Sequence, residues 1–276
     1  MKIEDLWQVI RPYVPPQARP VIRLLYRRYM QVLCWYVGLW DRWHIKKTGF
    51  ERLPSASLRY RVHGSPYIDG FLKVGKQCRE DIEAALMKVG RDLGSFQNVL
   101  DFGCGCGRSL IWFANQPSPC RFYGTDVDAD AIAWCRNNLD FAAFNVNNPL
   151  PGLDYPSEMF DLICGITVFT QLNEAFQLRW LEELKRVTKP QGIVLITVCG
   201  EYYSKRLSDE EIARVKKEGF LFKVTDYMKG IFPEWYQSAY HTQDYIYENY
   251  TAYFDILDYI PEGLDHSQDM IVLQKA

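Results

Sequence analysis

Residues Asn98 to Ser109 read NVLDFGCGCGRS, with an acid at Asp101 and then glycine at every second place, Gly103, Gly105 and Gly107. This pattern suits a strand that ends in a tight loop, because glycine has no Cβ and tolerates positive φ. A nucleotide-like ligand could lie directly on such a backbone. A helix predicted over Arg108–Asn115 would turn its free N–H groups toward the same ligand. A dinucleotide loop has the spacing G-x-G-x-x-G, which would place the third glycine at position 108. That place holds Arg108, and the glycine comes one residue early at Gly107. The spacing therefore argues against a dinucleotide such as NAD.

A second acid strengthens the reading of a ligand site. Arg121 to Asp126 (RFYGTD) reads as a short strand ending in an acid. Asp126 lies about one βαβ unit beyond Asp101. A carboxylate at a strand tip can accept both hydroxyls of a ribose, a strong bidentate contact in a partly dry cleft. Asp128 is read as the N-cap of the next helix.

The elements that must position these groups alternate in type. Phe160–Cys164 is an apolar strand, and Leu181–Val187 is a helix with apolar residues at 181, 184 and 187. Thr188-Lys189-Pro190-Gln191-Gly192 stops that helix. Ile193–Val198 is then wholly apolar, as strands buried on both faces of a parallel sheet are. The alternation predicts a doubly wound α/β domain.

The stretch Asp101-x-Gly103-x-Gly105-x-Gly107, together with LEELKRVTKPQG before a buried strand, resembles class I S-adenosylmethionine-dependent methyltransferases. FDILDY at 254–259 and MIVLQK at 270–275 resemble the last two strands of that family's sheet, so the resemblance covers roughly residues 58–275. The segment Ser57–Gly64 (SLRYRVHG) is similar to one that precedes the loop in bacterial methyltransferases associated with glycan or secondary-metabolite synthesis. The resemblance implies a seven-stranded, mostly parallel, Rossmann-like sheet with a helical N-terminal extension and an inserted cap. It also implies S-adenosylmethionine as cofactor, and no metal.

The same resemblance suggests roles for individual residues. Asp101, Gly103, Gly105, Gly107 and Gly165 belong to the cofactor set, and Asp126 to its ribose. Tyr60, Arg61 and Phe71–Gly75 would close over the methionine end. Arg61 would pair with its carboxylate, with Arg59 and Arg108 as competitors for that role. Val127 and the segment Phe144–Val146 would hold the adenine, with Asn145 or Asn147 on its amine. One departure is visible in Val168-Phe169-Thr170-Gln171-Leu172, where the family usually has histidine in the place of Gln171. Glutamine can orient a substrate but cannot take a proton.

Methyl transfer from a sulfonium depends mainly on proximity and alignment. A hydroxyl acceptor gains from a base, and histidine is the usual one near neutral pH. Of the four histidines, His63 and His241 fall in segments expected to flank the cleft and are the catalytic candidates. The substrate side is assigned to three loops, Tyr60–Gly75, Thr167–Asn173 and Cys199–Glu248. Aromatic residues crowd the last of these, from Tyr202 and Tyr203 through Tyr227, Phe232, Trp235 and Tyr236 to Tyr245. They suit the core of a small cap, and Pro233–His241 suits sugar or aromatic recognition.

The remaining boundaries follow from composition. The chain has 276 residues, read as an arm and aromatic/basic helix (1–57) and a methyltransferase unit (58–276) with an insertion at about 199–248. A net charge of −2 supplies no basic field for nucleic acid. Eight scattered cysteines without a C-x-x-C pair or a secretory leader lead us to expect a reduced, cytoplasmic setting. The prolines at 12, 15, 16 and 20 predict an extended arm. Residues 21–43 form an aromatic helix interrupted by Arg23, Arg27 and Arg28, whose apolar run is too short to span a bilayer. Its expected uses are a lid, a membrane-interface or partner contact supported by those arginines, or a homodimer contact. The expected activity is O-methylation of a small-molecule or glycan-type acceptor. The alternatives are an NAD-dependent oxidoreductase and an inactive cofactor-binding scaffold for a glycan-synthesis partner.

Overall fold

A computed structural model describes residues 15–114, 120–224 and 237–276. Pro12, Asn115, Tyr227, Phe232 and the segment 233–236, all singled out above, lie outside the described residues.

Helix α1 (Arg19–Thr48) leads to α2 (Ala56–His63) and α3 (Ile68–Lys88). The strand–helix alternation follows with β1 (Asn98–Phe102), β2 (Arg121–Asp126), α4 (Ala129–Asn138), β3 (Ala142–Val146) and β4 (Phe160–Gly165). Next come α5 (Glu174–Val187) and β5 (Thr188–Val198). The cap holds α6 (Glu201–Ser204), α7 (Asp209–Glu218), β6 (Phe220–Lys223) and β7 (Ser238–His241). Helix α8 (Gln243–Tyr250), β8 (Asp255–Leu264) and β9 (Gln268–Gln274) complete the chain.

Seven strands form one sheet in the order β3-β2-β1-β4-β5-β9-β8, with β1 to β5 parallel and β9 antiparallel to both neighbours. This is the doubly wound, Rossmann-like architecture expected from the strand–helix alternation. Ile193 to Ile196 are wholly buried, because β5 lies in the sheet interior with helices over both faces. On one face Phe71, Cys78 and Ile82 of α3 pack on the strands. On the other, Trp180, Leu181 and Leu184 of α5 meet Ile246 and Tyr250 of α8. The cap has its own small core of Leu207, Val215, Leu221 and Tyr240.

Two expectations are corrected. The helix drawn over Arg108–Asn115 is, within the described residues, a 3₁₀ turn at Leu110–Trp112. Leu110, Ile111 and Phe113 are buried at neighbouring positions, with Trp112 half-buried between them, rather than spaced along one face as in a surface helix. Nor is Tyr60–Gly75 a loop. It spans the last turn of α2 and the start of α3, and Ser55 caps α2 by accepting from the Leu58 N–H. Asp128 caps α4 as expected, accepting from the Asp130 and Ala131 N–H groups.

Candidate functional site

Beyond the carboxyl ends of β1, β2 and β4 lies a cleft of about 720 Å³. That volume is within the range of small-molecule and cofactor pockets. Gly103 and Gly105 form part of its floor. Gly105 has φ +53°, and a Cβ there would stand 2.8 Å from Val62 Cγ2. Gly103 has φ +81°, and its Cβ would stand 2.3 Å from Val168 Cγ2. Backbone conformation and close packing thus both demand glycine. Gly107 faces away and packs on Leu139. Cys104 and Cys106 are buried between the glycines as small apolar side chains, and burial pushes both thiols well up.

Asp126 lines the cleft at the end of β2. Its Oδ2 accepts from the Gly105 N–H at 2.7 Å, and its Oδ1 from the Asp128 N–H at 2.8 Å. The carboxylate therefore sets the shape of the glycine loop and retains lone pairs for a ligand. Burial raises its pKa despite these bonds. Asp101 is buried near the end of β1 and does not line the cleft. Burial first, and then the Asp126 charge, push its carboxyl up to about 7 against the pull of Arg108.

Other residues assigned from sequence fall in different places. Val127 lines the cleft, and so does Asn147, whose Oδ1 accepts from Thr125 Oγ1 at 3.0 Å. Asn145 does not line it. Its side chain turns to Arg136, so of the two asparagines it is Asn147 that borders the cleft. Gly165 is buried against Ile196 rather than exposed in the cleft. Tyr60 lies on α2 outside the cleft lining. From Phe71–Gly75 only Val74 reaches the cleft, while Gly75 lets α3 approach the Arg108 carbonyl, where a Cβ would stand 2.3 Å away.

The three competing arginines separate clearly. Arg59 is fully buried, bonding Asp41 and the carbonyls of Pro54 and Pro66. Arg61 lines the cleft but pairs with Asp128 at 3.0 Å and Asp130 at 3.1 Å, bracing α2 against the start of α4. Arg108 lines the cleft too. Its Nε, like that of Arg61, is buried without a hydrogen-bond partner, so what sets Arg61 apart is its pairing with Asp128 and Asp130. Arg108 Nη1 lies 3.4 Å from His63 Nδ1.

The two histidines also part company. His63 ends α2 and lines the cleft. His241, expected to flank it, is instead only 2% exposed and absent from the lining. Its Nε2 meets Gln177 Oε1 at 2.9 Å, the same oxygen that accepts from the Tyr250 hydroxyl at 2.6 Å. Gln177 Nε2 in turn donates to the carbonyls of Phe169 and Leu172. The pairing β6–β7 places His241 in this polar knot behind the cleft, and burial lowers its pKa to about 3.

Gln268 carried no usable sequence signal, whereas Thr167 and the cap residues Tyr203, Phe222 and Gln237 fall in segments assigned to the substrate side. Gln268 comes from the start of β9, and its amide lies 3.3 Å from Thr167 Oγ1. Thr167 holds φ +65°, an uncommon conformation for a β-branched residue, beside the cleft. Tyr203, Phe222 and Gln237 of the cap close the far side.

Comparison with known proteins agrees with this geometry. Residues 99–192 match a family described as a methyltransferase domain. A probable methyltransferase, ltbC, of Aspergillus luteorubrus is 32% identical over 107 residues, covering 35% of this chain and 38% of that protein. A fatty-acid O-methyltransferase of Mycolicibacterium smegmatis is 26% identical over 134 residues, covering 46% and 48%. The chain thus spans less than half the length of these curated relatives. The crystal structure of the PH0226 protein from Pyrococcus horikoshii shares the fold at TM-score 0.50 and 17% identity, covering 71% of this chain and 89% of that one.

Proposed function

From a chain whose residues 99–192 match a methyltransferase domain, we propose a class I S-adenosylmethionine-dependent enzyme that transfers the cofactor's methyl group to an oxygen of a small-molecule acceptor. The observation that carries this reading is one continuous cleft, running from Asp126 and Gly105 to Arg108 and His63. The residues present fit the cofactor. A ribose suits Asp126, whose carboxylate lines the cleft and is fixed in place by the Gly105 and Asp128 amides. An orphaned, buried guanidinium nitrogen on Arg108 suits a carboxylate.

When bound, the cofactor supplies an activated methyl group. The protein's own part is to hold and align. Asp126 would accept the ribose hydroxyls, and Val127 and Asn147 would border the adenine. Arg108 would take the carboxylate of the methionine end. His63 Nδ1 faces the Arg108 guanidinium, a donor, and so stands as an acceptor. In this reading Arg108 turns from it to the cofactor's carboxylate, which frees the Nδ1 lone pair to receive the proton of an acceptor hydroxyl. Gln171 and Gln268, both in the lining, would orient that hydroxyl. The catalytic unit we propose is 58–276, with 199–248 as the cap over the acceptor.

The fatty-acid O-methyltransferase among the relatives and the aromatic residues Phe176, Trp180 and Tyr203 in the lining favour an acceptor with a large apolar part over a glycan. Mass spectrometry of the purified protein for bound S-adenosylmethionine or its demethylated product tests the cofactor. Incubation of a metabolite extract with methyl-labelled cofactor tests turnover. Bound NAD instead would overturn the reading, and bound cofactor without turnover on any acceptor would favour the scaffold alternative.

A further inference from the structure

The most exposed apolar surface among the described residues belongs to α1. Trp43 is 70% exposed, Trp35 67%, Val32 64% and Leu25 63%; Leu24, Tyr29, Tyr36, Leu39 and Trp40 are each more than half exposed. At about 100° per residue, these positions fall within one arc of about 160° on the helix. The opposite side is the one held by the domain. There Met30 is buried, Cys34 Sγ lies 3.8 Å from the Ala56 carbonyl, and Asp41 pairs with buried Arg59 at 2.7 Å. The helix is thus anchored by its poorer face and presents its richer one outward.

Charge tells what covers that face. Along the exposed stripe, Arg28 stands at one end of the aromatic run and Lys46 and Lys47 at the other, with Arg42 at its edge. Asp41 is the sole acid of α1, and it is consumed by Arg59 on the domain side. The chain as a whole carries −2, so these cations mark a local exception. A second copy of α1 laid on the stripe would set cations against cations with no carboxylate between them. Long basic side chains that lie along apolar surface and lift their heads to an anionic layer meet no such conflict. Tryptophan and tyrosine rings between them suit the headgroup boundary. No helix of the described residues is long and apolar enough to cross a membrane, so the helix would lie in the plane of the surface.

We propose that α1 docks this protein on an anionic phospholipid bilayer, with Trp35, Trp40 and Trp43 inserted at the headgroup boundary and Arg28, Lys46 and Lys47 on the lipid phosphates. The inference does not depend on methyl transfer. Its link to the cleft is short: α1 packs on α2 through Asp41 and Arg59, and α2 carries Val62 and His63 into the lining. Docking at a bilayer would place the cleft among acceptors that partition there.

Flotation of the full chain tests the proposal, using vesicles of phosphatidylcholine alone and of phosphatidylcholine mixed with phosphatidylglycerol. Binding is expected to the mixed vesicles, to weaken with salt, and to shift tryptophan emission to the blue, with quenching by brominated lipid. Each cation removed should lower partitioning roughly fivefold, so Arg28→Glu, Lys46→Glu and Lys47→Glu together should abolish flotation. Trp35→Ser, Trp40→Ser and Trp43→Ser together should do the same while the melting curve and cofactor affinity stay unchanged. Absence of flotation and of quenching in the folded wild-type chain would overturn the proposal, with no variant needed. A concentration-dependent dimer that those tryptophan substitutions dissolve, without vesicle binding, would assign the stripe to a second copy instead.

Discussion

The two ends of the cleft are built on different principles. The end proposed for the cofactor is made of main chain: adjacent parallel strands β1 and β2 stop in register, and the Asp126 carboxylate ties the Gly105 and Asp128 amides together. The end proposed for the acceptor is made of side chains from distant segments, with His63 from α2, Gln171 after β4, Gln268 from β9 and Tyr203 from the cap. Backbone geometry of the first kind tolerates little substitution. A side-chain surface of the second kind can change its specificity while the first stays fixed.

The largest expected effect breaks the cofactor end alone. Asp126→Ala removes two charge-assisted acceptor contacts to ribose, each worth about 1.5–3 kcal/mol. Calorimetry should show S-adenosylmethionine affinity falling by at least about 100-fold. Wild-type affinity in that variant would contradict the ribose assignment. His63→Ala should do the converse. A general base contributes roughly 10²–10⁴-fold, so turnover should fall by about 100-fold or more with cofactor affinity retained, and the limb of the pH–rate profile that reports the base should vanish. Equal losses of binding and turnover would remove His63 from the base role.

A smaller effect sharpens the contrast between main chain and side chain. Gly105→Ala introduces a Cβ at φ +53° and 2.8 Å from Val62 Cγ2. The left-handed conformation costs about 1–2 kcal/mol and the overlap a similar amount. Cofactor affinity should drop by about tenfold or more. Adding Val62→Ala should recover the steric share only, leaving the conformational share in place. Full recovery would mean that backbone strain at Gly105 is immaterial.

The same contrast explains what the sequence could reveal. Glycine spacing and the acids at 101 and 126 are local, and a strand–loop–strand unit cannot be built otherwise with those residues in those places. The parallel sheet's interior was legible for the same reason, since Ile193–Val198 reads as a strand buried on both faces. Its seven strands were implied by the family resemblance, and their order was not readable. His241 failed because its fate is decided by pairing between β6 and β7, which sets Tyr240 opposite Leu221 and His241 opposite Phe220. No local pattern encodes whether such a histidine faces a cleft or Gln177. Arg61 and Arg108 were likewise indistinguishable until Asp128 and Asp130 were seen to occupy Arg61. Gln268 belongs to a strand more than 160 residues after the glycine loop (268 against 103–107), and only the β5–β9 pairing brings it to Thr167.

The smallest expected effect concerns His241 as a group that holds the cleft's rear wall without touching the acceptor. Its pKa is lowered to about 3 in the fold, against about 6.5 in the unfolded chain. Below pH 6.5 the unfolded state takes up a proton that the folded state refuses, so stability is present above that pH and is lost as pH falls. Between pH 6.5 and 5 the loss should reach about 2 kcal/mol. Asp101 works in the opposite sense, because its pKa of about 7 makes the folded state the better proton acceptor over the same interval. The wild-type curve should therefore be flatter than either group alone would make it. His241→Gln keeps a donor toward Gln177 Oε1 and removes the titration, so urea melts of this variant should show stability rising as pH falls from 6.5 to 5. Asp101→Asn should show the reverse, and the doubly substituted protein should be level. Parallel curves for wild type and His241→Gln would mean that His241 titrates in the fold much as it does in water.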